Sequence, residues 1–68
     1  MKKIKVFIER DMKEFEIEFN GKTVRELLNN LNIDWSRVVV IKNGEIVTED
    51  EIINNNDYIK IFDAVSGG

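Results

Sequence analysis

Only one stretch of this chain has the periodicity of an amphipathic helix, and nearly everything around it alternates. Val24, Leu27, Leu28 and Leu31 fall at i, i+3, i+4 and i+7, while Arg25, Glu26, Asn29 and Asn30 lie on the other side. That spacing predicts a single helix of about 8 to 10 residues. Thr23-Val24-Arg25-Glu26 has the spacing of a capping box, so the helix is expected to begin at Val24. A chain of 68 residues allows one domain, and at this size folding buries only roughly 60% of the surface the unfolded chain exposes. One short helix therefore has to find its apolar partner in the surrounding strands.

Those strands are legible by their period of two. Ile4, Val6 and Ile8 point one way and Lys3, Lys5, Phe7 and Glu9 the other; then Phe15, Ile17 and Phe19 oppose Glu14, Glu16 and Glu18. Arg10-Asp11-Met12-Lys13 lies between them as a hairpin loop. Setting Glu9 opposite Glu14 pairs Val6 with Ile17, Ile4 with Phe19 and Lys5 with Glu18, which keeps like faces together. Asn20-Gly21-Lys22 breaks the strand, with Gly21 expected to serve a chain reversal.

Beyond the helix, Trp35 is expected to lie as a lid over the end of the helix core, given the area a tryptophan buries. Val38-Val39-Val40-Ile41 reads as a strand buried at least partly on both faces. Asn43-Gly44 is a strong hairpin signal, with Glu45-Ile46-Val47 as a brief return strand. Residues 48–57 form a polar loop anchored by Ile52-Ile53, and Tyr58 to Phe62 alternates as the last strand. The order strand, strand, helix, strand, short strand, strand predicts an α+β fold, a mixed sheet of four to five strands with one main helix packed on one face. That order matches the β-grasp, or ubiquitin-like, arrangement, whose first and last strands lie parallel at the sheet centre. The domain is expected over residues 1–62, with a flexible tail over 63–68.

Composition narrows the chemistry. The chain has no cysteine and no histidine, which removes the thiolate nucleophile, the commonest metal ligand and the commonest general base. No catalytic residue and no metal site are expected. Glu49-Asp50-Glu51 is contiguous and lacks the spaced ligands of a calcium loop, so it reads as solvated surface. A net charge of −3 and no lysine or arginine run beyond two residues argue against nucleic acid as a partner. The N-terminus lacks a continuous apolar stretch, so no membrane association is expected, and the chain is read as a cytoplasmic monomer.

What remains is the end of the chain. Asp63-Ala64-Val65-Ser66-Gly67-Gly68 has no periodicity and closes on two residues without side chains, so it is expected to project as a mobile tail. With glycine at about 7% of residues, two at a given end arise by chance in roughly 0.5% of chains. Glycine has a physical use there, because a chain without Cβ atoms passes through a narrow channel and bends freely. A terminal carboxylate delivered that way to an ATP-binding enzyme becomes an electrophile once adenylated, and sulfide, a thiol or an amine can then attack it.

Three segments resemble the ubiquitin-like sulfur carriers of thiamin and molybdenum-cofactor synthesis and the related small archaeal modifiers. They are Thr23-Val24-Arg25-Glu26-Leu27-Leu28, Val40-Ile41-Lys42-Asn43-Gly44-Glu45-Ile46-Val47, and Asn56-Asp57-Tyr58-Ile59-Lys60-Ile61-Phe62 running on to Val65-Ser66-Gly67-Gly68. The resemblance implies that an E1-like adenylating enzyme activates Gly68 with ATP, no cofactor being bound by the carrier itself. It further implies a thiocarboxylate on Gly68, Gly67 as its required neighbour, a sulfur donor such as a cysteine desulfurase, and a thiazole-synthase-like acceptor. Asp63 and Ala64 stand where molybdopterin-type carriers usually have prolines, and the chain has no proline at all, which favours the thiamin-type branch.

Phe7, Lys60 and Phe62 are expected as neighbours on the sheet face the helix leaves open. Two readings of them stand: a docking surface beside the tail, or rings that merely cover sheet or pack under the 48–57 loop. Three functions follow for the whole chain: a sulfur carrier, a protein modifier conjugated through Gly68, or a non-covalent ubiquitin-like binding module. Only the last makes the tail irrelevant.

Overall fold

The computed structural model of the chain describes residues 1–64. Strands β1 (Lys2–Ile8) and β2 (Lys13–Phe19) precede helix α1 (Val24–Asn30), and a single 3-10 turn (Trp35–Arg37) leads into β3 (Val38–Lys42), β4 (Glu45–Val47) and β5 (Tyr58–Asp63). The five strands make one sheet in the order β2-β1-β5-β3-β4. β1 and β5 are parallel at its centre and the other neighbours antiparallel. This is the mixed, helix-covered sheet that the alternation predicts, with β5 one residue longer than expected.

The first hairpin forms with a different register. Val6 pairs with Phe15, Ile4 with Ile17 and Lys5 with Glu16, two residues from the pairing expected. The loop is Glu9–Met12, closed by the Met12 amide donating to the Glu9 carbonyl, and Met12 takes a left-handed φ of 51°. A slip of two leaves every side chain on its original face, so the alternation alone does not distinguish the registers.

Helix α1 starts where its capping box predicts. The Thr23 hydroxyl accepts from the Glu26 amide at 3.3 Å, and the Glu26 carboxylate accepts from the amides of Thr23 and Lys22 at 3.2 and 3.1 Å. Two further amides of the first turn are satisfied by the 48–57 loop: Val24 donates to the Glu51 carbonyl and Arg25 to that of Glu49. At the other end the Asn32 amide donates to Asn29 and the Ile33 amide to Leu28, with Asn32 at φ 59°. This is a Schellman-type stop in which asparagine takes the place usual for glycine, and it ends the helix at seven residues rather than 8 to 10.

The core lies between α1 and one face of the sheet. Ile4 and Val6 of β1, Phe19 of β2, Ile59 and Ile61 of β5 and Val40 of β3 meet Val24, Leu27 and Leu28 of α1. Ile53 closes this core from the loop with no exposure. Loop and hairpin are locked together beneath it. The buried Asp57 carboxylate accepts from Asn43 Nδ2 and the Asn54 amide, both at 2.8 Å, while Lys42 Nζ reaches Glu51 at 2.7 Å and the Ile52 carbonyl at 2.9 Å. Asn43 and Gly44 both take positive φ, 51° and 89°, as a two-residue hairpin of the primed type requires.

Gly21 corrects the expectation placed on it. Its φ is not positive; instead a Cβ there would sit 2.6 Å from the Phe19 ring. The residue is small because a buried aromatic lies against its backbone.

Candidate functional site: the open sheet face and the root of the tail

Strand parity and register place the outer side chains. Phe7 pairs with Lys60 across β1 and β5, Lys60 with Ile41 and Phe62 with Val39 across β5 and β3, and Ile41 with Ile46 across β3 and β4. Phe7, Lys60 and Phe62 are thus brought together on the face opposite α1, all three half-buried. Three apolar residues continue that surface: Val39 and Ile41, also half-buried, and Ile46, which is 76% exposed. Sequence reasoning missed these three as site residues. The available signal was a β3 apolar on both faces in a chain with a single helix, which can cover only one of them.

Charge frames the patch on one side. Lys60 Nζ stands 5.4 Å from the centre of the Tyr58 ring. The Tyr58 hydroxyl donates to Glu14 at 3.0 Å, and loss of solvent, followed by that carboxylate, pushes its pKa above the ordinary phenol value. The result is an apolar strip over β5, β3 and β4, with a cation at its middle and carboxylates along β2.

The strip leads to the point where the chain leaves the sheet. Asp63 pairs with Val38, and the Ala64 amide donates to the Arg37 carbonyl at 2.8 Å, so backbone order extends two residues past Phe62. Beside this root lies a shallow cleft of about 250 Å³, floored by Ile33 and Val38 and rimmed by Arg10, Arg37, Asp34 and Asp63. Arg10 approaches Asp63 at 3.9 Å and Arg37 approaches Asp34 at 3.8 Å. The Ser36 hydroxyl and then its amide hold the Asp34 carboxyl below its usual pKa. Two cations and two anions cancel, so the rim selects neither sign of ligand. Val65, Ser66, Gly67 and Gly68, the expected reactive tail, lie outside the described residues.

Two other sequence candidates resolve structurally. Glu49 and Asp50 both turn to Arg25, at 3.5 and 3.2 Å, while Glu51 turns to Lys42. The acidic run is split between two cations rather than gathered. Trp35 is not the core lid expected: it is 38% exposed, and its ring lies 5.0 Å from the Arg25 guanidinium. The 3-10 turn that Asp34 caps through the Ser36 amide carries the indole outward onto that cation. Among the described residues no group of three or more acidic side chains is arranged to hold a metal ion, and no helix is long and apolar enough to cross a membrane.

Comparison with known proteins fits this geometry. The ThiS family model matches residues 5–68. An uncharacterized protein of Archaeoglobus fulgidus is 36% identical over 67 residues, covering 97% of this chain and 98% of that one. The sulfur carrier protein TtuB of Thermus thermophilus is 29% identical over 58 residues, covering 85% of this chain and 88% of its own length. With a parallel β1–β5 centre, one capped helix and a match over nearly its whole length, the chain belongs to the ThiS family of ubiquitin-like sulfur carriers.

Proposed function

We propose that the chain carries sulfur as a thiocarboxylate on Gly68 and delivers it to thiazole formation in thiamin synthesis. The observation that supports this most is a family match running through residue 68, on a sheet whose central strand leads directly to the Val65-Ser66-Gly67-Gly68 end. The chain supplies a carboxylate and an address, and an E1-like partner supplies ATP binding and catalysis. A Gly68 carboxylate oxygen attacks the α-phosphorus of ATP and pyrophosphate leaves. The terminal sulfur of a donor persulfide, such as that of a cysteine desulfurase, then attacks the acyl carbon and AMP leaves. A thiol reductant cleaves the resulting acyl disulfide, itself ending as a disulfide, so that sulfur replaces one carboxylate oxygen; free sulfide reaches the same product in one displacement. Gly67, without a Cβ, lets the last bond enter the partner's channel, and Ser66 and Val65 belong to the tail presented to that partner.

The open face is the natural docking surface for that partner. Phe7, Lys60 and Phe62, joined by Val39, Ile41 and Ile46, lie together on the sheet face opposite α1, and an apolar centre with a charged rim is the composition interfaces favour. Soluble cytoplasmic use as a monomeric carrier, without nucleic-acid or membrane contact, fits the acidic charge.

Intact mass decides the carrier step. Incubated with an E1-like enzyme, ATP and sulfide, the chain gains about 16 Da, and a chain lacking Gly68 does not. No gain with any activating enzyme encoded alongside it overturns the proposal. Transfer to a thiazole-synthase-like acceptor, with return to the starting mass, tests the thiamin assignment. Return of mass only with a molybdopterin or tRNA-thiolating acceptor, or appearance of lysine conjugates through Gly68, reassigns the sulfur or the acyl group and leaves the activation step intact. A tail-independent activity would favour the non-covalent module.

A further inference from the structure

The two edges of the sheet are unlike. β4 is three residues long, whereas β2 runs for seven, paired with β1 on one side. Which backbone groups of β2 are left over follows from its neighbour. Lys5 donates its amide to the Asp57 carbonyl and Glu9 to that of Ile61, so odd-numbered residues of β1 turn their backbone toward β5 and even-numbered ones toward β2. Ile4, Val6 and Ile8 pair with Ile17, Phe15 and Lys13. Parity then leaves the amides and carbonyls of Glu14, Glu16 and Glu18 on the free edge. Among the described residues no turn or loop hydrogen bond reaches them.

The side chains along this edge have a consistent character. Glu14, Glu16 and Glu18 are exposed on the outer face, and Phe15 and Ile17 are only half-buried on the inner one. Glu14 is engaged by Tyr58 and, at 3.9 Å, by Lys5, while Glu16 and Glu18 form no ion pair among the described residues. β1 shows what sequence such a strand accepts: Lys3 and Lys5 lie opposite Glu18 and Glu16, and Ile4 and Val6 opposite Ile17 and Phe15.

We propose that the free edge of β2 binds an extended basic segment of a partner protein, added as a sixth strand. Lysine or arginine at alternate positions would face the glutamate row, with β-branched residues between them covering Phe15 and Ile17. Charge complementarity selects this occupant over a second copy of the chain, because antiparallel pairing of two β2 edges sets glutamate against glutamate. The site is distinct from the open-face patch, and a partner can occupy both.

The test uses the full chain, isotope-labelled, titrated with a seven-residue peptide alternating lysine and valine. Amide shifts concentrated in residues 13–19, slowed exchange at Glu14, Glu16 and Glu18, and an affinity that weakens as salt rises are expected. A peptide alternating glutamate and valine should bind the native chain at least tenfold more weakly. In a Glu16→Lys, Glu18→Lys variant that preference should reverse. Absence of any shift at about 1 mM peptide, shifts confined to the Val39, Ile46 and Phe62 face, or equal binding of both peptides to the native chain would overturn the proposal. The two-peptide comparison on the native chain holds even if the double variant fails to fold.

Discussion

The two faces of this sheet are built from the same strands in alternation, yet they meet different demands. On the inner face Ile4, Val6, Ile59 and Ile61 are at most 2% exposed beneath α1. On the outer face Phe7, Lys60 and Phe62 from the same two strands remain half-buried, and Ile46 stands 76% exposed. Burial inside has already been converted into stability; apolar area outside is still available to a partner. In a chain with so small a core, mutations on the two faces should therefore separate stability from recognition.

The largest break is expected on the inner face. Ile53→Ala empties a fully buried site that also anchors the loop capping α1, and should cost about 2 to 5 kcal/mol. That is a large share of the total stability of a domain this size, so urea denaturation should find the variant partly unfolded at 25 °C. Gly21→Ala comes next. Its new methyl meets the buried Phe19 ring, and the resulting overpacking should cost about 1 to 3 kcal/mol in thermal melts.

The outer face should give the opposite profile. Phe62→Ala is expected to change stability by about 1 kcal/mol or less and to raise the KM for the chain in adenylation roughly tenfold, with little change in kcat. Steady-state ATP–pyrophosphate exchange measures both, and an unchanged KM would remove Phe62 from the docking surface. Thr23→Ala lies between the faces: loss of the cap should cost about 1 kcal/mol and leave activation unchanged.

The smallest effect is one of pH. Backbone amides, Lys22 first and then Thr23, hold the Glu26 carboxyl below its ordinary value. A depressed pKa stabilises the fold above the unfolded-state value, and that contribution fades as pH falls through the folded one. Circular dichroism should show α1 loosening slightly on acidification below about pH 4.5, and Glu26→Gln should flatten that response.

The element order and the inner face were legible because they rest on periodicity, which burial enforces. Thr23 and Glu26 marked the helix start for the same local reason that forms it. The hairpin register was not legible, since a slip of two preserves the alternation and nothing in Met12 announces a left-handed turn residue. Asn32 gave no clear stop, being a weaker form of the glycine signal. Trp35 and Gly21 depart from expectation because each answers to a particular side chain, Arg25 in one case and the Phe19 ring in the other, and periodicity does not say which way those side chains turn. Phe7, Lys60 and Phe62 were found through their alternation, whereas Val39, Ile41 and Ile46 required knowing which strand lies beside which.

β5 pairs at once with β1, the first strand made, and with β3, yet in chain order it comes last. On the ribosome the emerging chain can form the β1–β2 hairpin and begin α1, but the sheet has a gap at its middle until residues 58–63 are free of the tunnel. Closure is then a late, non-local step of the kind that slows folding. The same event that seats the central strand completes the open face from which an activating enzyme would recognise it.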